Sequence, residues 1–478
     1  MFGKVLVANR GEIALRIART LRELGIRSVG VYSSADRDER LRRHFDESVH
    51  IGPSAVGRSY QNVAAIVEAA LQTGCDAVHP GYGFLSEDPD FAEVCAEAGL
   101  TFVGPDPQQM ARLGDKSSAR ALMRSAGLPL LPGSVQPVDS VEAAREVAAR
   151  AGYPVIIKAV AGGGGKGMAV VRRPEELDES FPHARAAARS VFGDDRVYLE
   201  RYLEQARHVE VQILCDGRGN GVHLGTRDCS VQRRHQKLIE EGPAPALSAE
   251  TLAAITSASV RAALEVGYTG VGTLEFLVDA DESFYFMEIN TRIQVEHPVT
   301  EMITGVDLIR EQLLVAAGLT VQLRQAEIVP RGVSVECRVN GEDPDRDFIP
   351  TPGRLVVFQP PGGPFTRVDT HAYPGYELGP HYDSLLAKVV VWAPDREQAL
   401  DRMDRALAEF DIEGPGVRTT IPFLRRVIAD PQFRKAEHST QLVDRIRQDD
   451  RLRTAGTGQP AADRNRPAAA PGRKGENQ

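Results

Sequence analysis

The sequence is poor in the residues and runs that mark several specialised classes. It has five cysteines in 478 residues (Cys75, Cys95, Cys215, Cys229 and Cys337), widely scattered and with no C-x-x-C pair. That spacing supplies neither a disulfide framework nor a cysteine zinc site, and ordinary buried thiols are expected. Long apolar runs are missing too. The longest charge-free stretch, Ser125–Val138, is broken by prolines and falls short of the ~20 apolar residues of a membrane span. The N-terminal apolar run, Val5–Ala8, is too short for a signal-peptide core of about 7–15 residues, so a cytoplasmic protein is expected. Excess positive charge is also absent: 57 Lys and Arg stand against 66 Asp and Glu, a formal net charge of −9. Such a chain has no overall attraction for nucleic acid or membrane, and any anion site must be a local cluster.

What is present is ordinary for a globular protein: 42% hydrophobic and 26% charged residues. At about 150 residues per domain the length suggests about three domains. Strand patterns at Lys4–Ala8, Ser28–Tyr32, Ala77–Val78 and Phe102–Val103 alternate with helical patterns at Glu12–Leu24, Tyr60–Gln72 and Phe91–Ala98. This alternation predicts a parallel, doubly wound sheet over residues 1–103. Its ligand-facing loops are Asn9–Gly11 and His79–Leu85. The first turn has one glycine, Gly11, where a dinucleotide fingerprint needs three. Helices are predicted at Arg112–Ala126, Val141–Ala151, Thr251–Val266 and Val306–Ala317, and β runs at Pro154–Ala159 and Met168–Val171. From Val333 the pattern turns β-rich, with strands at Val333–Val339, Arg354–Phe358 and Leu385–Trp392 and a final helix at Arg396–Glu409. Residues 451–478 carry six basic and two acidic groups and little that could form a core; a disordered tail is expected.

Three segments carry chemistry. Gly162-Gly163-Gly164-Gly165-Lys166-Gly167 lies between two β runs, so its amides can approach an anion, with Lys158 and Lys166 adding charge. It is not a Walker A loop, because Gly167 stands where Ser or Thr is required. Arg227–Lys237 gathers basic and imidazole groups inside an acidic protein and reads as a local anion site. Thr273–Asp279 and Phe284–Asn290 read as an antiparallel pair joined by a four-residue loop, Ala280–Ser283. With Asp279 facing Phe284, Glu275 faces Glu288 and Thr273 faces Asn290. Like charges directly opposite are destabilising, and a divalent cation reverses that sign. Glu275, Glu288 and Asn290 offer the hard oxygens that suit Mg²⁺ beside phosphates. Beyond them Glu288, Asn290, Arg292, Gln294 and Glu296 fall at period two, and an extended segment presents all five on one face.

Taken together, Ala8–Ala14, His79–Glu87, Gly162–Met168, Arg227–Lys237, Glu288–Gly305 and Glu336-Cys337-Arg338 make the chain resemble biotin carboxylase, the ATP-grasp ligase component of biotin-dependent carboxylases. The resemblance covers residues 1 to about 445. It implies an α/β and α+β chain: an N-terminal doubly wound domain (1–103), an ATP-grasp domain (104–330, lid about 131–203) and a β-rich C-terminal domain (331–446). It implies ATP contacts at Lys116, Lys158, Gly163, Gly164, Gly165, Lys166, Gly167, Glu200, Leu203, His208, Gln232, His235 and Leu277. It places metal ligands at Glu275, Glu288 and Asn290, and a bicarbonate site at Lys237, Arg292, Gln294, Val295 and Glu296. Biotin is expected against Arg338, near Tyr82, Gly83 and Gln294. Thr419-Thr420 stands where the family often has Thr-Asn, and the match weakens past about residue 435.

The implied reaction is ATP-dependent carboxylation of biotin by bicarbonate through carboxyphosphate, using two Mg²⁺ or Mn²⁺. Glu296 is expected as general base, with Arg292 and Lys237 holding bicarbonate and Arg338 stabilising the ureido oxygen. No methionine is followed by lysine, so the Met-Lys-Met biotinylation signature is absent. A biotin carboxyl carrier protein and a carboxyltransferase are therefore expected on separate chains, and the family implies a homodimer. The final acceptor (acetyl-CoA, propionyl-CoA or pyruvate) is left open. Two other readings are another ATP-grasp ligase acting on a larger carboxylate and a silent ATP-binding regulatory subunit. The first is opposed by the Arg292–Glu296 face and Arg338; the second by the retention of Glu275, Glu288, Lys237, Glu296 and Arg338.

Overall fold

The computed structural model describes residues 1–134, 136–161 and 168–457. The N-terminal strand β1 (Lys4–Val7) is nearly wholly buried, and Gly11, with φ +69°, turns it into the helix Gly11–Glu23. Ile13, Ile17 and Leu21 form that helix's buried stripe. With β2 (Arg27–Ser33), β3 (Glu47–Gly52), β4 (Ala77–His79) and β5 (Thr101–Phe102), β1 makes a sheet in the order β3-β2-β1-β4-β5. Every pairing is parallel, as the strand–helix alternation predicts. Strand β3 is not legible in the sequence: Glu-Ser-Val-His-Ile-Gly lies at the sheet edge with only Ile51 buried, so it shows little apolar signal.

The helix expected over Arg112–Ala126 is two helices, Pro107–Gly114 and Lys116–Ser125. Asp115 between them adopts an extended conformation, and its carboxylate accepts from Ser118 N at 2.8 Å, capping the second helix. Strands β6 (Val155–Ala159), β7 (Ala169–Val171) and β8 (Val197–Arg201) form a small antiparallel sheet. With the helices Val141–Ala151 and Leu177–Phe192 it encloses its own apolar core.

An eight-stranded antiparallel sheet is the scaffold of the rest. It contains β9 (Arg207–Asp216), β10 (Gly221–Arg233), β11 (Gln236–Gly242), β12 (Thr269–Val278), β13 (Phe284–Asn290) and β14 (Val333–Asn340), ordered β13-β12-β9-β10-β11-β14. The strands Leu385–Ala393 and Thr366–Thr370 continue it beyond β14. One sheet therefore crosses from the central region into the C-terminal region. The strand expected at Arg354–Phe358 is two short pieces, Gly353–Arg354 and Val357–Gln359, each with a different partner.

Arg396–Glu409 is helical as predicted but is not the last helix. Ile421–Ala429, Pro431–Arg434 and Leu442–Thr457 come after it. The tail expectation is corrected at its start, since residues 451–457 continue a helix; residues 458–478 lie outside the described residues. All five cysteines are buried and free. Among the described residues no helix is long and apolar enough to cross a membrane.

Candidate active site

A cleft of about 1000 Å³ opens where the loops after β1 and β4, the small sheet and the large sheet converge. The first two supply Gly11, Tyr82 and Gly83, the small sheet Lys158 and Glu200, and the large sheet His208, Lys237 and Arg338. Lys116, Leu203, Gln232, His235 and Leu277 also line it, as do Glu275, Glu288, Asn290, Arg292, Gln294 and Val295. Gly163, Gly164, Gly165, Lys166 and Gly167 lie outside the described residues. Glu296 is the exception among the described candidates: it is fully buried behind the wall and reaches the cleft only through its partners.

The carboxylate hairpin has the predicted register at its functional end. Glu275 is paired with Glu288 and Thr273 with Asn290. The loop end differs, because Val278 rather than Asp279 faces Phe284, and a bulge between Glu275 and Phe276 restores the alignment. Without that bulge the one-residue difference would put the two carboxylates on opposite faces. Asn290 comes two residues after Glu288 and shares its face. Two carboxylates and an amide oxygen at the cleft are a hard-oxygen set that fits Mg²⁺. Here Glu275 is held by Lys237 Nζ (3.0 Å), His208 Nε2 (3.0 Å), Asn290 Nδ2 (2.9 Å) and Gln294 Nε2 (3.0 Å). Glu288 is half-buried, with Lys116 Nζ at 3.4 Å.

The expected extended run to Glu296 is not a strand. β13 ends at Asn290, and turns lead to a helix at His297–Thr304. The polar groups still gather, because Arg292 donates to Asn290 Oδ1 and Gln294 Oε1, each at 3.1 Å, while Ile293 enters the core. Glu296 occupies the position preceding the helix. Lys237 Nζ contacts its Oε1 at 2.6 Å and Arg338 Nη2 its Oε2 at 2.8 Å. Burial opposes the charge on Glu296, but Lys237, Arg338 and Arg227 overcome it and hold the carboxyl well below its ordinary range. Burial likewise opposes the charge on Lys237, and the surrounding carboxylates hold that ammonium well above its usual value. Both groups are therefore ionised, and each fixes the other.

The basic segment is not a continuous anion surface. Arg227 is fully buried on Glu210 at 2.6 Å, and Arg233 and Arg234 pair with Asp347. Gln232 and Lys237, cross-strand partners on the β10–β11 hairpin, line the cleft together with Arg234, His235 and Gln236 around its turn. Cys229, buried within it, has Sγ 4.0 Å from Glu296 Oε1, and burial pushes its thiol well above the ordinary value; it is an unreactive neighbour.

Several functional neighbours escape sequence reasoning. Glu87, in the loop after β4, takes Arg292 Nε at 2.8 Å and the amide of Thr291 at 3.0 Å. Arg120 holds Glu200 at 2.8 Å from one side while Lys158 pairs with it from the other. Glu210 accepts from Lys237 at 2.6 Å. The signal for Glu210 is present in the sequence: in β9, His208, Glu210 and Gln212 alternate with Val209, Val211 and Ile213. Thr440, Gln441 and Asp444 reach the cleft from a region where the sequence match fades, and Thr440 N is anchored on Ala206 O at 3.0 Å.

Comparisons with known proteins agree with this architecture. Residues 1–110 match the biotin carboxylase N-terminal domain, 115–324 the ATP-binding domain of the carbamoyl-phosphate synthase L chain, and 336–445 the biotin carboxylase C-terminal domain. The chain is 50% identical over 445 residues to biotin carboxylase of Nostoc sp., covering 93% of this chain and 99% of that one. It is 51% identical over 445 residues to biotin carboxylase 1 of Bacillus subtilis, covering 93% and 98% respectively. Among solved structures it resembles a biotin carboxylase–β,γ-ATP complex from Campylobacter jejuni, with TM-score 0.90, 43% identity and coverage of 93% and 99%. It also resembles the biotin carboxylase domain dimer of Hydrogenobacter thermophilus 2-oxoglutarate carboxylase with MgADP, ADP and bicarbonate, with TM-score 0.89, 45% identity and coverage of 94% and 98%. With near-complete coverage at such identity, the chain belongs to the biotin carboxylase family.

Proposed function

We propose that this cleft carries out the ATP-dependent carboxylation of biotin by bicarbonate. The observation that carries the reading is the Lys237–Glu296–Arg338 chain of ion pairs beside the Glu275–Glu288 carboxylate pair. Leu203 and Leu277, packed with Leu131 and Ala206, form the apolar wall for the adenine. Lys116, Lys158 and His208 face the phosphates. Gln232, His235 and Glu200 complete the nucleotide contacts. Glu275, Glu288 and Asn290 would hold two Mg²⁺ or Mn²⁺, which would supply charge neutralisation for phosphoryl transfer.

Arg292, Lys237, Gln294 and the Val295 backbone orient bicarbonate. Glu296 accepts its proton as its oxygen attacks the γ-phosphorus, and ADP leaves with the electron pair of the broken P–O bond. Carboxyphosphate then breaks into CO₂ and phosphate, and the phosphate takes the N1′ proton of biotin. The N1′ nitrogen attacks CO₂ while Arg338 stabilises the negative ureido oxygen. Tyr82 and Gly83 border that pocket. Because Glu296 starts as a pinned carboxylate, bicarbonate must take over the contact now made by Lys237 before Glu296 can act as a base.

The chain works with biotin on a separate carrier protein and a separate carboxyltransferase, as a homodimer in the cytoplasm. The decisive experiment measures ATP cleavage by the purified chain. We expect cleavage that depends on bicarbonate and on Mg²⁺ or Mn²⁺ and is stimulated by free biotin. Equal rates with and without bicarbonate and biotin would overturn the assignment.

A further inference from the structure

Behind Arg338 the large sheet carries two carboxylates that this mechanism does not use. Glu240 on β11 and Glu336 on β14 are direct cross-strand partners, which puts their Cβ atoms about 4.5–5.5 Å apart. Both are fully buried. Arg338 Nε donates to Glu240 Oε1 at 2.6 Å. The other three oxygens, Glu240 Oε2 and both of Glu336, have no hydrogen-bond partner among the described residues.

The surrounding cations cannot balance two charges here. Arg338 is shared with Glu296 at 2.8 Å. Lys388, the cross-strand partner of Arg338, is committed to Glu12 Oε1 at 3.0 Å and the Val295 carbonyl at 2.8 Å. Lys237, farther along β11, is surrounded by Glu210, Glu275 and Glu296. The helix packed over this face brings Glu296 and a His297 that burial and nearby cations hold well below its ordinary value, hence neutral. Cys229 and Cys337, the nearby thiols, are pushed up by burial and are neutral too. Two facing buried carboxylates with orphaned oxygens are reconciled when a proton lies between them.

We propose that Glu240 and Glu336 share one proton at neutral pH, and that the single charge left on the pair anchors Arg338 while leaving its cation available to the ureido oxygen of biotin. Burial pushes both carboxyls up, the direction that sharing a proton requires. The pair acts through Arg338, so both are positioning residues, and the proposal rests on the assignment of Arg338 to biotin. Loss of the shared proton at alkaline pH adds a second negative charge behind Arg338. The biotin step then slows while ATP cleavage continues.

The test uses the full chain with MgATP, bicarbonate and free biotin, monitoring carboxybiotin and ADP across pH. The wild type should show an alkaline fall in carboxybiotin formed per ATP cleaved, approaching about tenfold per pH unit beyond the transition. Glu336→Gln, which fixes the pair at one charge, should remove that fall and leave the ratio at neutral pH within about twofold. Glu336→Ala should also remove the fall but lower the neutral-pH ratio by more than about twofold, because it leaves Glu240 without a partner across the strand. Infrared spectroscopy should show the carbonyl stretch of a protonated carboxylic acid, deuterium-sensitive, in the wild type and not in Glu336→Gln. Should Glu336→Gln fail to fold, the pH titration of that band in the wild type still decides. Absence of the band at neutral pH overturns the shared proton. A band that titrates together with equal loss of both activities overturns the link to biotin and the Arg338 assignment, leaving the proton itself in place.

Discussion

Glu275 and Glu288 stand directly opposite each other on adjacent strands, and the bulge between Glu275 and Phe276 keeps them so. The charge of Glu275 is already offset by Lys237 and His208 at 3.0 Å each. Glu288→Gln should therefore change the stability of the metal-free protein by no more than about a few tenths of a kcal/mol. Its Mg²⁺ affinity and turnover should both fall. Calorimetric titration and thermal melts check this, and an unchanged metal affinity would remove Glu288 from the ligand set.

Arg338 and Lys237 grip opposite oxygens of Glu296, so the two half-reactions should separate by residue. Glu296→Ala should impair ATP cleavage and carboxybiotin formation together. Arg338→Gln leaves Glu296 its contact with Lys237. Losing an oxyanion-type donor costs about 2.7–4 kcal/mol, or about 10²–10³ in rate. Carboxybiotin formation should fall by about that factor and ATP cleavage much less, so ATP consumed per carboxybiotin should rise. Proportionate losses would show that Arg338 also serves bicarbonate activation.

Asp369 provides a pH test of the buried charge layer. Burial alone would raise its pKa, but Arg367, at 2.7 and 2.9 Å, wins and holds it at about 2. A carboxyl depressed from about 3.9 in the unfolded chain stabilises the fold above that pH, and its contribution is lost as pH falls toward 2. The stake is about 2–3 kcal/mol. Asp369→Asn should flatten the fall in urea midpoint between about pH 4 and pH 2. An unaltered slope would show that other carboxylates dominate acid unfolding.

Truncation should distinguish the final helix from the C-terminal segment beyond it. Leu442, Val443 and Ile446 are buried in the C-terminal core. At about 1.5–3 kcal/mol for each buried apolar side chain, losing all three costs a large share of a typical stability of about 5–15 kcal/mol. Deleting residues 442–478 should lower Tm strongly and weaken ATP binding, since Asp444 also leaves the cleft. Deleting only 458–478, whose composition offers little apolar surface, should leave Tm and activity unchanged.

The sequence by itself determined the parallel first sheet, the β-hairpin with its facing carboxylates, and the polar groups Glu288, Asn290, Arg292 and Gln294 that line the cleft. These come from local rules: apolar periodicity sets strand and helix, and a two-residue period sets which side chains share a face. The family resemblance added the residues that no local rule connects. Local rules do not reach the contacts between distant segments. The alternation from Glu288 to Glu296 suggested an extended strand, yet Glu296 reaches Lys237 and Arg338 from the start of a helix. The run Arg227–Lys237 suggested an exposed anion site, yet Arg227 is sealed on Glu210. Only the tertiary structure decided which charges are paired, because partners such as Glu87 and Arg292, or Arg338 and Glu240, lie 205 and 98 residues apart. Pairing over such distances depends on how sheets stack, and it sets whether a buried carboxyl keeps its charge or holds a proton.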